Sequence, residues 1–280
     1  GGNSWYVIKN YGHLTIGNEG EACGVSVTQS GHFSSMIANG YYNSGDYTNN
    51  IDLVKTADKV PTITINGGTF DGGLNTVKND DYAKMTINGG AFKNVSQAVV
   101  FNVNELTITG GTFDMVEGAE AAIITTFWDA EIDKGTTTIT GGTFNGAIIE
   151  GVGKGEATYT VSGGTYATAL PESYIADDSL FYPTEEGYKV IEGTEIPTDS
   201  VGVAAVDNEA IYYASDGATI KLVKDTNENC EVKALDKEIA INLNGYTLTA
   251  ANSESYALYI QSSKNIALMN GKVNGEVVLN

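Results

Sequence analysis

Side chains along this chain follow a two-residue rhythm, interrupted at regular places by paired glycines. The phrase Ile63-Thr64-Ile65-Asn66-Gly67-Gly68-Thr69-Phe70 sets the pattern, and it returns at Met85 to Phe92, Leu106 to Phe113, Thr137 to Phe144 and Tyr159 to Tyr166. Strict alternation marks a half-buried strand, because successive side chains of a strand face opposite ways. Ile65, Ile87, Ile108, Ile139 and Val161 form one inward column. The column before it, Ile63, Met85, Leu106, Thr137 and Tyr159, is mostly apolar. Between them Thr64, Thr86, Thr107, Thr138 and Thr160 face outward. The Gly-Gly pair predicts a turn at positive φ. The aromatic that follows (Phe70, Phe92, Phe113, Phe144, Tyr166) predicts an internal stack.

The first glycines of the pairs, Gly67, Gly89, Gly110, Gly141 and Gly163, are spaced by 22, 21, 31 and 22 residues. Such a unit holds two or three short strands. A propeller blade needs about 40 residues and four strands, and a leucine-rich repeat needs a Leu and Asn framework that is absent. The pattern therefore predicts an all-β solenoid, a parallel β-helix with coils about 4.8 Å apart and like residues in register. A further strand per coil is expected at Leu74 to Val77, Ala98 to Phe101, Ala121 to Ile124 and Ala147 to Ile149. The longer third interval places extra residues around Glu117 to Glu120 and in Thr125 to Gly135.

The flanks are less regular. Tyr6 to Asn10, His13 to Ile16 and Ser34 to Gly40 read as strands, and the 49 residues from Ile16 to Ile65 suggest two units. Residues 169–199 carry three of the four prolines and a cluster of acidic residues, which suits a cover over exposed strand edges. A short helix is expected at Ala210 to Ala214. The theme restarts in Gly217 to Asp225, Ile241 to Leu248 and Ile266 to Val273. The expected division is a β-helix over 1–170, a capping or linker segment over 171–199, and an incomplete second β-helix-like module over 200–280. The chain reads as a slice of a longer protein.

Charge narrows the partners. The formal net charge is −20, and every one of the 15 basic residues is Lys. That field repels phosphate backbones and anionic membranes, so nucleic acid is not expected, and no apolar run approaches the length of a membrane span, so membrane insertion is not expected either. Cys23 and Cys230 show no metal or redox spacing and are expected as separate thiols, with a single disulfide as the alternative.

The recurring I-T-I-N-G-G-T-F phrase resembles the Gly-Gly-Thr-Phe repeats of large bacterial cell-surface proteins. Asp216 to Asp225 followed by Ile241 to Leu248 is similar to the opening segment of their β-helix modules. The resemblance implies a pectate-lyase-like right-handed parallel β-helix, exported to the bacterial cell surface, with a role in adhesion or glycan contact. No catalytic residue is carried over by it.

The competing class is a carbohydrate-active enzyme, a polysaccharide lyase or a glycoside hydrolase. The lyases that share this architecture generally use an Arg or Lys base with carboxylate-bound Ca²⁺, and no Arg exists here. Asp71, Asp80, Asp81 and Asp114 show no evident cluster on one strand column. A hydrolase needs two carboxylates about 5–10 Å apart across one cleft. Glu117, Glu120, Asp129 and Glu131 are the nearest approach to such a set. His13 and His32 have no carboxylate at a telling spacing. The best recognition candidate is Trp128 with Asp129, Glu131 and Asp133, where an aromatic ring stacks on a sugar and carboxylates accept its hydroxyls. No cofactor is expected. Oxygen ligands are plentiful, so an adventitious Ca²⁺ is the one ion anticipated.

Overall fold

In the computed structural model each Gly-Gly phrase supplies two strands of one coil, and a third strand precedes them. The structure describes residues 6–20, 22–31, 33–41, 59–94, 96–127, 133–184, 186–193, 195–198, 211, 214, 216–254 and 256–280. The chain divides into two units, Gly1–Ala176 and Asp177–Asn280.

Among the described residues the first unit holds six three-stranded coils. They are β1 (Ile8–Asn10), β2 (His13–Ile16), β3 (Ser26–Gln29); β4 (Ile37–Asn39), β5 (Thr62–Ile65), β6 (Thr69–Gly72); β7 (Asn75–Asn79), β8 (Lys84–Ile87), β9 (Ala91–Lys93); β10 (Ala98–Asn102), β11 (Glu105–Ile108), β12 (Thr112–Asp114); β13 (Ala121–Thr125), β14 (Thr136–Ile139), β15 (Thr143–Asn145); and β16 (Ile148–Glu150), β17 (Thr158–Val161), β18 (Gly164–Tyr166). Each strand pairs with its counterpart one coil away. The sheets run β1-β4-β7-β10-β13-β16, β2-β5-β8-β11-β14-β17 and, within this unit, β3-β6-β9-β12-β15-β18. All pairings between successive coils are parallel, for example β8 with β11 and β12 with β15. The protein is all-β with stacked parallel sheets, an arrangement consistent with a parallel β-helix.

Register puts like on like. Ile65, Ile87, Ile108, Ile139 and Val161 are mutual partners in order, as are the Thr residues one position earlier. The inward members are sealed, Ile65, Ile87, Ile108 and Ile139 at 0% exposure. Phe70, Phe92, Phe113, Phe144 and Tyr166 stack with ring centroids 4.9, 5.1, 4.9 and 5.0 Å apart. Their planes lie within 9° of parallel, the largest tilt being between Phe70 and Phe92. The coil spacing of about 4.8 Å brings the rings to this distance, where each offset stack adds about 0.5–1.5 kcal/mol beyond burial.

The two glycines of each pair do different jobs. The second sits at positive φ, +117° at Gly90, where only glycine is unstrained. The first is needed for close approach. A Cβ at Gly110 would stand 2.6 Å from the Asn88 carbonyl oxygen of the preceding coil. The expectation that both glycines serve positive φ is thus half right.

The interval from Ile16 to Ile65 is also corrected. These residues are direct partners one coil apart, so the 49 residues are one coil with long corners rather than two units. The expected helix at Ala210 to Ala214 falls largely outside the described residues.

The end of the sixth coil is covered from within the first unit. A short 3-10 turn, Glu172–Tyr174, lays the Tyr174 ring on Tyr159 at 4.3 Å. Ile175 bridges to Val161, and the Ala176 N–H donates to the Val161 carbonyl at 2.9 Å.

In the second unit β19 (Ser179–Thr184) and β20 (Gly187–Glu192) form an antiparallel hairpin. Parallel stacking then resumes with β21 (Glu195–Thr198), β22 (Ala218–Leu222), β23 (Thr226–Asn227), β24 (Cys230–Leu235), β25 (Ile239–Asn242), β26 (Thr247–Thr249), β27 (Tyr256–Ser262), β28 (Ile266–Met269), β29 (Lys272–Asn274) and β30 (Glu276–Leu279). Its sheets run β21-β22-β25-β28, β23-β26-β29 and β24-β27-β30 around a core that includes Ile220, Leu222, Ile241, Leu248, Leu258 and Ile260. Cys230 is buried in that core and Cys23 is half-buried in the first unit; both are free thiols. Burial pushes the Cys230 thiol pKa well up, with Glu228 adding to the effect, so it is an inert core residue.

Removing one ring from the middle of the stack tests the packing. Phe113→Ala is expected to cost about 3–5 kcal/mol in denaturant unfolding, while the outward Thr107→Ala stays within about 0.5 kcal/mol.

Candidate functional site

A ladder of buried asparagines ends the first strand of successive coils. Asn10, Asn39, Asn79 and Asn102 are 9%, 0%, 0% and 0% exposed. The Nδ2 of Asn10 donates to Asn39 Oδ1 at 2.7 Å, that of Asn39 to Asn79 Oδ1 at 3.0 Å, and that of Asn79 to Asn102 Oδ1 at 2.9 Å. Each also donates across to the second strand of the next coil, to the carbonyls of Thr62, Lys84, Glu105 and Thr136, all at 2.9 Å. Asn102 reaches Thr137 Oγ1 at 3.0 Å, and Thr125 and Thr137 hydroxyls close the ladder at 2.6 Å. A buried amide needs its partners, and here the need is met by clasping two strands whatever lies between them.

What lies between them is the variable corner. Between first and second strands the six coils carry residues 11–12, 40–61, 80–83, 103–104, 126–135 and 151–157. From the second coil on, the corner between second and third strands is short and constant: 66–68, 88–90, 109–111, 140–142 and 162–163. The corner before the next coil is intermediate: 73–74, 94–97, 115–120 and 146–147. In the first coil these two corners are residues 17–25 and 30–36, and the two longest insertions of the stack, 40–61 and 126–135, share the edge between first and second strands.

The last two of these corners are joined. The Lys154 N–H donates to the Phe127 carbonyl at 2.7 Å, Gly151 N–H to the Thr125 carbonyl at 2.8 Å, and Thr126 Oγ1 to the Val152 carbonyl at 3.0 Å. The glycines permit this contact. A Cβ at Gly153 would stand 2.3 Å from the Phe127 oxygen, and one at Gly155 2.4 Å from its ring. The tip, Val152, is 90% exposed. Beneath it Tyr159 donates to the Ile149 carbonyl at 2.6 Å, and burial drives its phenol pKa far upward.

The first coils bring aromatic and ionic groups to the same edge. Lys9 Nζ lies 4.8 Å from the Tyr11 ring and 5.2 Å from the Tyr6 ring, and Tyr11 meets Tyr41 at 4.8 Å. Asp80 is 1% exposed and pairs with Lys78 at 2.6 Å. Burial raises the Asp80 carboxyl pKa against the opposing pull of Lys78. Farther along, Glu105 bridges Lys134 at 2.6 Å and Lys84 at 3.3 Å. Partial burial lifts its carboxyl, but the hydrogen bonds and charges of the two lysines outweigh that and leave it below the usual range.

Of the sequence candidates for recognition, Asp133 is buried at 5% exposure, directly before Lys134, whose N–H donates to Asn104 Oδ1 at 2.9 Å. Trp128, Asp129 and Glu131 lie outside the described residues. Glu117 and Glu120 stand before β13 and Asp133 after it. The hydrolase set of Glu117, Glu120, Asp129 and Glu131 is only half described, since Asp129 and Glu131 lie outside the described residues. Asp71 and Asp114 share a column of the third sheet with Lys93 between them, while Asp80 and Asp81 lie in the 80–83 corner, so these four acids do not cluster on one column. His13 is exposed on β2, with Nδ1 2.8 Å from Thr62 Oγ1; His32 lies outside the described residues.

Sequence reasoning missed Tyr11, Tyr41 and the asparagine ladder. The signal was present as an apolar-x-Asn ending in Ile8-Lys9-Asn10, Ile37-Ala38-Asn39, Val77-Lys78-Asn79 and Val100-Phe101-Asn102. Among the described residues no group of three or more His, Cys, Asp or Glu is placed to hold a metal ion, and no helix is long and apolar enough to cross a membrane. No family model matches the chain, and neither a curated protein nor a solved structure matches it.

Two substitutions probe this edge. Asn79→Asp exchanges a donor for a carboxylate facing the carbonyls of Ala83 and Glu105, and a loss of more than about 3 kcal/mol is expected at neutral pH. The buried acid would have a raised pKa, so the folded form holds its proton more tightly than the unfolded chain. Stability then falls as pH rises through that window and recovers on acidification, which urea unfolding at a series of pH values reads directly. Gly153→Ala should release the 151–157 corner, seen as faster hydrogen exchange at the Lys154 and Gly151 amides, with exchange in β11 and β14 unchanged.

Proposed function

We propose that the chain is a non-catalytic extracellular module of a bacterial surface protein, a right-handed parallel β-helix that serves in adhesion or as a stalk and contacts glycans at its variable corner. The observation that carries this reading is that the two longest insertions, residues 40–61 and 126–135, lie on the same edge of a stack that is regular from the second coil on. In repeat architectures, insertions that map to one face commonly form the binding face.

Two further features support it. Trp128, Asp129 and Glu131 fall in the sequence between β13 and β14, and a ring with neighbouring carboxylates is of the residue types that stack on a sugar and accept its hydroxyls. Tyr11, 41% exposed, and Tyr41 place aromatic surface on the same edge at the first coils. Asp133, being buried, is assigned to the base of the corner rather than to the ligand. The partner is a glycan or another host or cell-surface ligand. Nucleic acid, membrane insertion and a cofactor have no part in this reading, and Ca²⁺ would be adventitious.

A glycan array with the wild-type chain, Trp128→Ala and Tyr11→Ala tests the proposal. Binding to a defined set of glycans, weakened at least tenfold by one of the two substitutions, is expected. Signal at background, or binding indifferent to both substitutions, overturns the glycan contact. Release of reducing ends or of unsaturated product from pectin overturns the non-catalytic part and favours the enzyme.

A further inference from the structure

One corner of the second unit stands out from its neighbours. Between second and third strands, successive coils carry residues 228–229, 250–255 and 275. The middle corner therefore projects from the flank of the stack, while the next is a single glycine. That glycine makes the step possible. Gly275 has φ +140°, and a Cβ there would stand 2.7 Å from the Ala250 Cβ and 3.1 Å from the Ala257 Cβ. Hydrogen bonds hold the projecting corner. The Ala251 N–H donates to Asn229 Oδ1 at 2.9 Å, the Ala250 N–H to the Asn274 carbonyl at 2.8 Å, and the Glu254 N–H to Asn252 Oδ1 at 3.1 Å.

Beside the projection lies a cavity of about 380 Å³, whose polar lining is Asn252, Ser253, Glu254, Asn274 and Glu276. Val273 packs against the core, so its neighbour Asn274 faces outward. The cavity thus opens on the side of the unit, between two coils that are both described, and draws nothing from the strand edges of β28, β29 and β30. Tyr256 is the cross-strand partner of Glu276, which sets both on the same outer face. It is 38% exposed, with its ring 5.1 Å from that of Tyr259.

Each group sets a requirement on the ligand. The amides of Asn252 and Asn274 and the Ser253 hydroxyl exchange hydrogen bonds with hydroxyl groups. An exposed tyrosine ring offers its face to the apolar side of a sugar or to a cation. Ionised Glu254 and Glu276 would accept and not donate, and no lysine is among the lining residues. A positively charged group with N–H donors is therefore favoured and an acid repelled, and the formal net charge of −20 acts in the same sense. The volume is at the low end of the about 300–1,000 Å³ of ligand sites, which suits a single ring rather than an extended chain.

We propose that this step is a binding site for an amino sugar, a pyranose with a free amine. Its ammonium pairs with Glu254 and Glu276, its ring lies on Tyr256, and its hydroxyls meet Asn252, Ser253 and Asn274. The site is separate from the corners of the first unit and does not rest on the glycan contact proposed there.

Isothermal titration calorimetry of the full chain tests it, with the glucosamine disaccharide, its N-acetylated form and digalacturonate as probes. One site per chain is expected for the glucosamine disaccharide, at least tenfold weaker binding for the N-acetylated form, and none for digalacturonate. Glu276→Gln and Tyr256→Ala should each weaken binding at least tenfold with the thermal midpoint retained, while Asp114→Asn, which removes a remote carboxylate, leaves it unchanged. Hydrogen exchange gives a second readout: the disaccharide should slow the Ala251, Glu254 and Glu276 amides of the wild-type chain. Absence of binding, equal affinity for the N-acetylated form, indifference to both substitutions at the site, a loss shared by Asp114→Asn, or slowing confined to the first unit overturns the proposal.

Discussion

Parallel pairing in register is the constraint from which the rest of the structure follows. It sets every side chain about 4.8 Å from its counterpart one coil away, so only residues that tolerate their own kind can fill a column. Isoleucine does so by simple apolar contact, as at Ile65, Ile87, Ile108 and Ile139. Phenylalanine does so by offset stacking. Asparagine does so because its amide carries both a donor and an acceptor, each of which finds the next amide in line. Charged residues do not tolerate it. Where they occur in a column their signs alternate, as in Asp71, Lys93 and Asp114, or Lys84 beside Glu105.

The constraint binds the strands and leaves the corners free, provided something holds each corner closed. The asparagine clasp does this at the edge where it matters. Asn10 reaches Thr62 although residues 40–61 separate β4 from β5, and Asn102 reaches Thr136 although residues 126–135 separate β13 from β14. Both bonds are as short as the one from Asn79 to Glu105, where the corner is only residues 103–104. Corner length is thereby uncoupled from the geometry of the stack, which is the property a scaffold needs if its loops are to vary.

How much of this was legible in the sequence follows from period. From the second coil on, the second and third strands are joined by a corner of nearly constant length, so their Ile, Thr and Phe columns recur at intervals that the eye can count. The first strand lies beyond a corner of irregular length. Asn10, Asn39, Asn79 and Asn102 therefore fall at uneven spacings, and their common role is hidden although the apolar-x-Asn ending repeats. The same irregularity made one coil between Ile16 and Ile65 look like two. The candidate site was less legible still. Trp128 stands out as an aromatic directly followed by acids, whereas the Tyr11 and Tyr41 contact joins residues from different coils that no local motif connects.

Because each coil touches only its two neighbours, the stack has a definite response to load. The hydrogen bonds between coils lie along the stacking direction, so tension applied through the chain termini acts on one coil boundary at a time rather than on all of them together. A spacing of 22 residues, drawn out at about 3.3–3.6 Å each, releases roughly 70–80 Å of slack per detached coil. A tether made this way yields in steps and absorbs work at each one while the coils behind the break keep their shape.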